Sequence, residues 1–303
     1  MFKNVTMYTT APDFDPALLE AALQQRPLTM PGPIELCRSG FLSAYGDDDV
    51  GDMTAFMDGA RQLRLGVAEK VVPTDVIKRM VADKVRKLKG QSGRRVGPRE
   101  KKRLKKECLT EVLPTALIQV KDTNAVIDAS RRRLLVDTAS ESASETMVTN
   151  LRDALGTFPV MPLAPTESPR VLMTNWLATG TLPNGLALGD ECELRDPVEK
   201  GAVVRCKRQE LESDEVREHL AAGKQVFALG LVFHDRLSFT LDHDLVVRRL
   251  NFLDAFHDDL RRELELGDAE APEIIADTVN TLQVAELRAL VDWIDATFGV
   301  KAP

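Results

Sequence analysis

One stretch of 31 residues, from Val76 to Lys106, limits what this chain can fold into more than any other part of the sequence. It contains 14 lysines and arginines, and its acids are Asp83 and Glu100, so its formal charge is +12. The other 272 residues have 26 basic and 45 acidic side chains, and the net charge of −7 therefore conceals the cationic stretch. Like charges at this density repel one another, so we expect the stretch to be exposed, where a polyanion would relieve the repulsion.

The apolar residues of this region recur at the spacing of two helices. After Pro73-Thr74 they follow the 3.6-residue period as far as Leu88, and Gly90-Gln91-Ser92-Gly93 predicts a break. Pro98 is a favourable first residue for a second helix, which Leu113-Pro114 ends. The region therefore predicts a helical hairpin with a basic tip.

Charge runs are most often solvated helical faces, but such faces mix both signs, and a run of one sign favours contact with a phosphate backbone. A protein adaptor that docks an acidic partner through the hairpin is an alternative. The hairpin has no aromatic side chain for stacking, so sequence-independent contact is predicted. The predicted phosphate-contacting residues are Lys84, Lys87, Lys89, Arg94, Arg95, Arg99, Lys101, Lys102 and Arg103.

Composition places the chain among packed globular proteins. With 44% hydrophobic and 29% charged residues, it does not belong to the disordered, collagen or coiled-coil classes. Because no apolar run approaches the roughly 20 residues of a membrane span and residues 1–8 alternate like a strand, we expect a cytoplasmic protein with no membrane contact. The four cysteines are far apart, which predicts reduced thiols and no metal site.

Helical and alternating patterns together predict an α+β fold with four subregions. A mixed N-terminal region (1–73) precedes the basic hairpin (74–113). Residues 114–165 have the order ββαβ, and residues 166–303 form a C-terminal α+β region. In the C-terminal region the patterns predict helices at 168–177 and 213–222, strands at 185–194 and 202–207, a three-stranded meander at 225–233, 236–241 and 246–252, and a last helix at 284–298.

A second basic cluster, residues 203–209, lies on one of these strand patterns. If the strand alternates, Arg205 and Lys207 face one side. Cys206 and Arg208 then face the other side, and Gln209 lies at the end of the strand, where it can hydrogen-bond phosphate or sugar. An edge strand protected by charge explains the cluster equally well.

No catalytic or cofactor motif accompanies these clusters. The chain has no GxxxxGK[ST] loop, no GxGxxG turn after a strand, no GxSxG and no HExxH, and its four histidines lack paired spacing. We therefore predict no catalytic residue, metal or cofactor. One alternative is a Mg²⁺-dependent nuclease that uses Asp242, Asp244 and Asp254, although aspartates between two strand patterns are typical turn caps.

Three apolar residues after the hairpin predict a contact between two copies of the chain. Leu117, Ile118 and Val120 are too apolar to remain wet beside so cationic an element, and a symmetric dimer can bury them by self-contact. Two inward-facing basic segments would then line one opening, with the acidic remainder outside.

Seven segments stand out in order from residue 1 to about 299, and they are MFKNVTMY, EVLPTALIQ, LLVDTAS, FPVMPL, VVRCKRQEL, AGKQVFALGL and VVRRLNF. Together they resemble the RdgC family of recombination-associated proteins. Leu117 and Val120 stand where the family often has phenylalanines, near one of the contacts that close its ring.

The resemblance implies a bacterial nucleoid-associated protein that is not an enzyme. Such a protein binds single- and double-stranded DNA with little sequence preference and restrains RecA-promoted recombination by occupying DNA. The implied architecture is an RdgC-type fold that forms a ring-shaped homodimer with a positively charged central hole. Besides the basic hairpin, the implied DNA-facing residues are Arg205, Lys207, Arg208 and Gln209.

Overall fold

The computed structural model of the chain describes residues 1–11, 15–46, 51–92, 95–198, 201–267 and 271–301. Helices and strands are mixed along the chain, which confirms the predicted α+β class. The described helices are α1 (Leu19–Gln24), α2 (Thr74–Ser92), α3 (Pro98–Val112), α4 (Glu141–Leu155), α5 (Pro169–Thr179), α6 (Asp214–Ala221), α7 (Asp254–Leu266) and α8 (Pro272–Phe298). The described strands are β1 (Thr6–Thr10), β2 (Cys37–Leu42), β3 (Thr54–Met57), β4 (Ala60–Val71), β5 (Leu117–Asp128), β6 (Arg133–Val136), β7 (Val160–Pro162), β8 (Leu186–Arg195), β9 (Val203–Lys207), β10 (Gln225–Phe233), β11 (Leu237–Asp242) and β12 (Val247–Phe252).

The chain divides into two compact units. The larger unit comprises Met1–Leu23, Ser43–Arg64 and Thr123–Pro303, and the smaller unit comprises Gln24–Leu42 and Leu65–Asp122. The smaller unit contains β2, the second part of β4, α2, α3 and the first part of β5. The cationic stretch therefore belongs to the smaller unit.

In the smaller unit, α2 and α3 contact each other, and we call them the basic helix pair. Ile77 of α2 and Leu104 and Cys108 of α3 are buried, as their helical spacing predicts. Helix α2 continues through Gly90 to Ser92, past the start of the predicted break. A glycine inside a helix costs only about 0.5 to 1 kcal/mol, so it need not end one.

The larger unit contains a five-stranded antiparallel sheet in the order β12-β11-β10-β8-β9, in which β10, β11 and β12 form the predicted meander. Leu229, Leu241 and Val247 are register neighbours across the sheet, and all three are buried. Helix α8 packs on this inner face, where the ring of Trp293 lies 5.8 Å from that of Phe233. The opposite side of the sheet is its outer face.

Helix α8 supplies much of this core. Its predicted apolar positions, from Val284 to Phe298, are buried, but the helix begins at Pro272, twelve residues before the predicted start. None of the helices in the described ranges is long and apolar enough to cross a membrane.

A second group of strands in the larger unit places β1 between β6 and β7 in antiparallel pairing. The predicted hairpin is formed by the end of β5 and by β6. Its turn is held by Asp128 Oδ1, which accepts hydrogen bonds from the backbone N–H of Ser130 at 3.0 Å and from its hydroxyl at 2.6 Å.

Candidate nucleic-acid interface

The basic helix pair carries most of the cations that the sequence singles out. Lys84 Nζ lies 2.5 Å from Glu111 Oε1, and Arg103 Nε lies 3.3 Å from Glu107 Oε1. Arg94 lies outside the described residues. The other six predicted residues are exposed and have no acidic partner within the described ranges, and they are Lys87, Lys89, Arg95, Arg99, Lys101 and Lys102.

The packing of α3 explains why most of its cations have no acidic partner among the described residues. Because Leu104 and Cys108 turn inward, the remaining faces of α3 point to solvent, and the acids within reach there are few. On α2, Lys84 is paired, and its hydrogen bond to Glu111 raises the pKa of the Lys84 ammonium. Arg103 is also paired, and the six predicted cations without an acidic partner in the described part of the chain keep their charge available for phosphates.

The second basic cluster lies on β9, an edge strand of the five-stranded sheet. Arg205 and Lys207 are exposed on the outer face, while Cys206 between them is 8% exposed and belongs to the core. The prediction that Arg208 shares the side of Cys206 was wrong. Strand β9 ends at Lys207, and the φ of Arg208 is 53°, so the alternation stops and Arg208 is exposed.

Gln209 follows directly, and the protein itself holds its amide. Its Nε2 donates a hydrogen bond to Glu215 Oε2 at 2.6 Å, and its backbone N–H donates to the carbonyl oxygen of Asp190 at 3.1 Å. Because Nε2 also donates to Ser213 Oγ at 3.4 Å, a hydrogen bond from this amide to phosphate or sugar would have to replace one of these two bonds.

On the outer face, arginines are paired with carboxylates that lie on strands of the same sheet. Glu193 accepts hydrogen bonds from Arg205 Nε at 2.6 Å and from Arg195 Nε at 2.5 Å. Burial raises the pKa of Glu193, but the hydrogen bonds from the two guanidiniums outweigh burial and lower it below its usual value.

Strand β12 adds two arginines that the sequence interpretation missed. Arg248 Nε donates to Asp242 Oδ2 at 2.8 Å, and Arg249 forms an ion pair with Glu191. Arg249 has a φ of 53°, which interrupts the alternation of β12. The adjacent arginines in VVRRLNF were a signal, but their acidic partners lie on other strands and could not be read from that segment.

Two adjoining clefts open on the outer face. One has a volume of about 400 Å³ and is lined by Glu193, Phe227 and His243 among others. The other has a volume of about 940 Å³, and its floor includes Gly189 and Gly230. A Cβ atom on Gly189 would lie 3.0 Å from the carbonyl carbon of Gly230, so a side chain at Gly189 would crowd the neighbouring strand.

The three predicted dimer residues lie on the first part of β5. Leu117 is 80% exposed, Ile118 is 41% exposed and Val120 is 44% exposed. The fold of one chain therefore leaves these apolar side chains in contact with solvent.

Similarity to known proteins identifies the family of this chain. It matches the family model described as "RdgC: Putative exonuclease, RdgC" over residues 1–301. The chain belongs to the RdgC family. It is 39% identical over 289 residues to the recombination-associated protein RdgC of Xanthomonas campestris pv. campestris (strain B100), which covers 95% of this chain and 94% of the relative. It is 37% identical over 297 residues to the protein of the same name from Stenotrophomonas maltophilia (strain R551-3), which covers 98% and 97%.

The RdgC family description contains the word exonuclease, and an exonuclease that uses Mg²⁺ needs carboxylates to hold the ion. Asp242, His243 and Asp244 offer ligand atoms within 4.8 Å of one another, and this group does not include Asp254, the first residue of α7. However, Asp242 Oδ1 accepts hydrogen bonds from the backbone N–H groups of Asp244 and Val246 at 3.0 and 2.9 Å. Its other oxygen pairs with Arg248. The geometry favours the turn-cap interpretation, because Mg²⁺ would have to displace a guanidinium.

Proposed function

We propose that this member of the RdgC family is a sequence-independent DNA-binding protein of the nucleoid, not an enzyme, which restrains RecA-promoted recombination by occupying DNA. The observation that carries the proposal is the set of exposed cations on the basic helix pair without acidic partners in the described ranges. Such cations neutralise phosphates and release the counterions that surround DNA. Since phosphates are common to all DNA, both single and double strands would bind.

Binding to three unrelated 30-base-pair duplexes and to one single strand, measured by fluorescence anisotropy, tests this proposal. We expect all four to bind, with affinities among the duplexes within about a hundredfold, because phosphate contacts carry no sequence information. Preference for one duplex beyond that range contradicts sequence-independent binding. Absence of binding to every DNA favours the adaptor alternative, in which the basic helix pair docks an acidic protein.

A nuclease is the competing function, and the family description favours it. Incubation of linear and circular DNA with the protein and Mg²⁺ or Mn²⁺ tests it. We expect the DNA to remain intact, because the carboxylate of Asp242 is engaged by Arg248 and by backbone N–H groups. Metal-dependent shortening of the linear DNA that the substitution Asp244→Asn abolishes would establish the nuclease instead.

We also propose that the chain forms a ring-shaped homodimer that encloses DNA. The exposed apolar side chains of Leu117, Ile118 and Val120 support it, because a symmetric contact would remove them from water. The substitution Leu117→Asp would bury a charge in that contact and should yield monomers by light scattering. Wild-type protein should dissociate from circular DNA more slowly than from short linear DNA. A monomeric wild-type protein, or equal rates of dissociation from circular and linear DNA, would contradict the ring.

A further inference from the structure

Flat side chains cluster on the outer face of the five-stranded sheet. Phe227 is partly buried at the bulge in β10, where the register with β8 shifts. Its ring centroid lies 4.9 Å from that of His243, and the guanidinium carbon of Arg195 lies 4.8 Å from the Phe227 centroid. The guanidinium of Arg170 lies 5.2 Å from the same ring. A phenyl ring, an imidazole and guanidiniums are the groups on which an unpaired nucleobase stacks in proteins.

The charges around this cluster are unevenly distributed. The carboxylates of Glu191, Glu193 and Asp242 line the cleft that Phe227 also lines, and each is paired with at least one arginine. Because these charges are already paired, a phosphate brought there would gain less electrostatic free energy than one brought to an unpaired cation. Lys207 and Arg208 are exposed at the β9 edge and have no acidic partner among the described residues. Phosphates are therefore favoured at that edge over the paired charges that line the cleft.

This distribution separates a single strand from a duplex. A duplex has its phosphates outside and its bases inside, so it would bring phosphates against these paired charges and no base against the Phe227 ring. A single strand can turn its bases towards the face and its phosphates towards the β9 edge. Building on the proposed DNA-binding function, we propose that the outer face is a single-strand site, in which an unpaired base stacks on the Phe227 cluster and the adjoining phosphates contact Lys207 and Arg208.

The clefts match this occupant. The cleft that Phe227 lines has a volume of about 400 Å³, within the range of pockets that hold small organic groups. Carboxylate oxygens and guanidinium N–H groups around it supply acceptors and donors for the edges of bases. The adjoining cleft shares Lys207 and Arg249 with the first, and glycines in its floor leave room for the next nucleotide.

The test compares two oligonucleotides that carry the same phosphates. One is a fluorescein-labelled strand of 15 thymidines, and the other is a strand of equal length in which the central residues are abasic. Wild-type full-length protein should bind the thymidine strand about 5- to 150-fold more tightly, which is the fold-change of one stacked base. The substitution Phe227→Ala should remove this difference while leaving duplex affinity within about twofold.

Two controls make the result specific. Phe56 is an aromatic residue that is 62% exposed and has the Arg61 guanidinium 5.4 Å from its ring, so Phe56→Ala removes a comparable side chain outside the site and should change neither affinity. Phe227→Leu keeps the apolar volume at the sheet while removing the ring, and it should behave like Phe227→Ala. Circular dichroism and thermal unfolding of each variant report its fold.

Several results would overturn the proposal. Equal binding of the thymidine and abasic strands by wild-type protein excludes base stacking without any variant. A stacking preference that survives Phe227→Leu places the stacking elsewhere, and an equal loss of single-strand and duplex binding removes the specificity for single strands. In each of these cases duplex binding by wild-type protein persists, whereas failure of the proposed function would abolish binding to every DNA.

Discussion

The basic helix pair and the outer face of the five-stranded sheet both present several cations, yet they differ in what those cations contact. Five predicted residues on the helix pair, and Arg95 between its two helices, extend into solvent without acidic partners in the described ranges. On the outer face, Arg205, Arg248 and Arg249 are each paired with a carboxylate. The number of arginines in a region is therefore a poor measure of the charge that it offers to DNA.

The difference has a physical origin in the two kinds of element. A helix places its near neighbours in sequence side by side, and the neighbours of the helix-pair cations are mostly further cations. A sheet places distant residues side by side, and here the acidic β8 lies beside the basic β9. We therefore expect the helix pair to bind by charge alone and the outer face to bind through charge and stacking together.

The largest expected effect is that of salt on the wild-type protein. If 6 to 10 phosphates are contacted, affinity for duplex DNA should fall about 10³- to 10⁵-fold between 50 and 200 mM salt. Lys101→Gln should lower the slope of log affinity against log salt by about 1, and Arg205→Gln should leave it nearly unchanged because Glu193 already neutralises Arg205. Anisotropy titrations measure all three slopes, and equal slopes for the two variants would abolish the distinction between the regions.

Charge reversal at the start of α3 and at Arg95, which precedes this helix, should have the next largest effect. Replacing Arg95, Arg99, Lys101 and Lys102 by glutamate changes the charge by eight units and should weaken duplex binding at least about a hundredfold. The free energy of unfolding should change by about 1 kcal/mol or less, because these side chains are exposed. Lys207→Glu with Arg208→Glu is the matched change on the outer face and should weaken single-strand binding more than duplex binding. If these two substitutions weaken duplex binding as much as the four glutamate substitutions do, the helix pair is not the principal duplex site.

A smaller effect is expected when one paired carboxylate is neutralised. Glu193→Gln keeps the size of the side chain, frees the charges of Arg195 and Arg205, and should tighten single-strand binding roughly two- to tenfold. Glu145→Gln neutralises an exposed acid on α4 and serves as the control. Weaker binding by Glu193→Gln would mean that Glu193 itself contacts the strand.

The smallest expected effect is on stability as a function of pH. The pKa of Glu193 is lowered in the folded state, so its pairing stabilises the protein above the unfolded-state pKa, about 4.3, and this stabilisation is lost as the pH falls through the lower folded-state pKa. Urea unfolding of wild-type and Glu193→Gln protein should differ at pH 7 by up to about 1 kcal/mol. The difference should shrink below pH 4.5. A constant difference over this range would show that the substitution acts through packing.

Elements with a strong local pattern could be predicted closely. The predicted strand at 225–233 matches β10 in both limits, because a mostly apolar run of strand length defines it without help from other elements. Helix α7 was not predicted, because most of its residues are charged or polar. Phe256 is buried, but one buried position does not define a helical period. Strands β2 and β3 were also missed, since their short sequences acquire strand character from the partners with which they pair.

The residues of the candidate site also differ in how well a local pattern predicts them. Arg205 and Lys207 were found from a local alternation, whereas Arg208 was placed on the wrong side because its left-handed backbone ends that alternation. Phe227 and His243 belong to one cluster through the pairing of β10 with β11, and neither residue has a motif around it. A cluster assembled by sheet register leaves no signal at the spacing of a local motif.

The sequence by itself determined that the lysines and arginines of residues 76–106 form a cationic surface, because repulsion within one contiguous stretch depends on composition and not on the rest of the fold. Only the tertiary structure decided which other arginines remain free. Glu193 meets Arg205 across twelve residues because β8 pairs with β9, and Glu191 meets Arg249 across 58 residues because the sheet brings β12 within reach. An ion pair needs its atoms within a few ångströms of each other, and for residues far apart in the chain that distance is set by strand order and register.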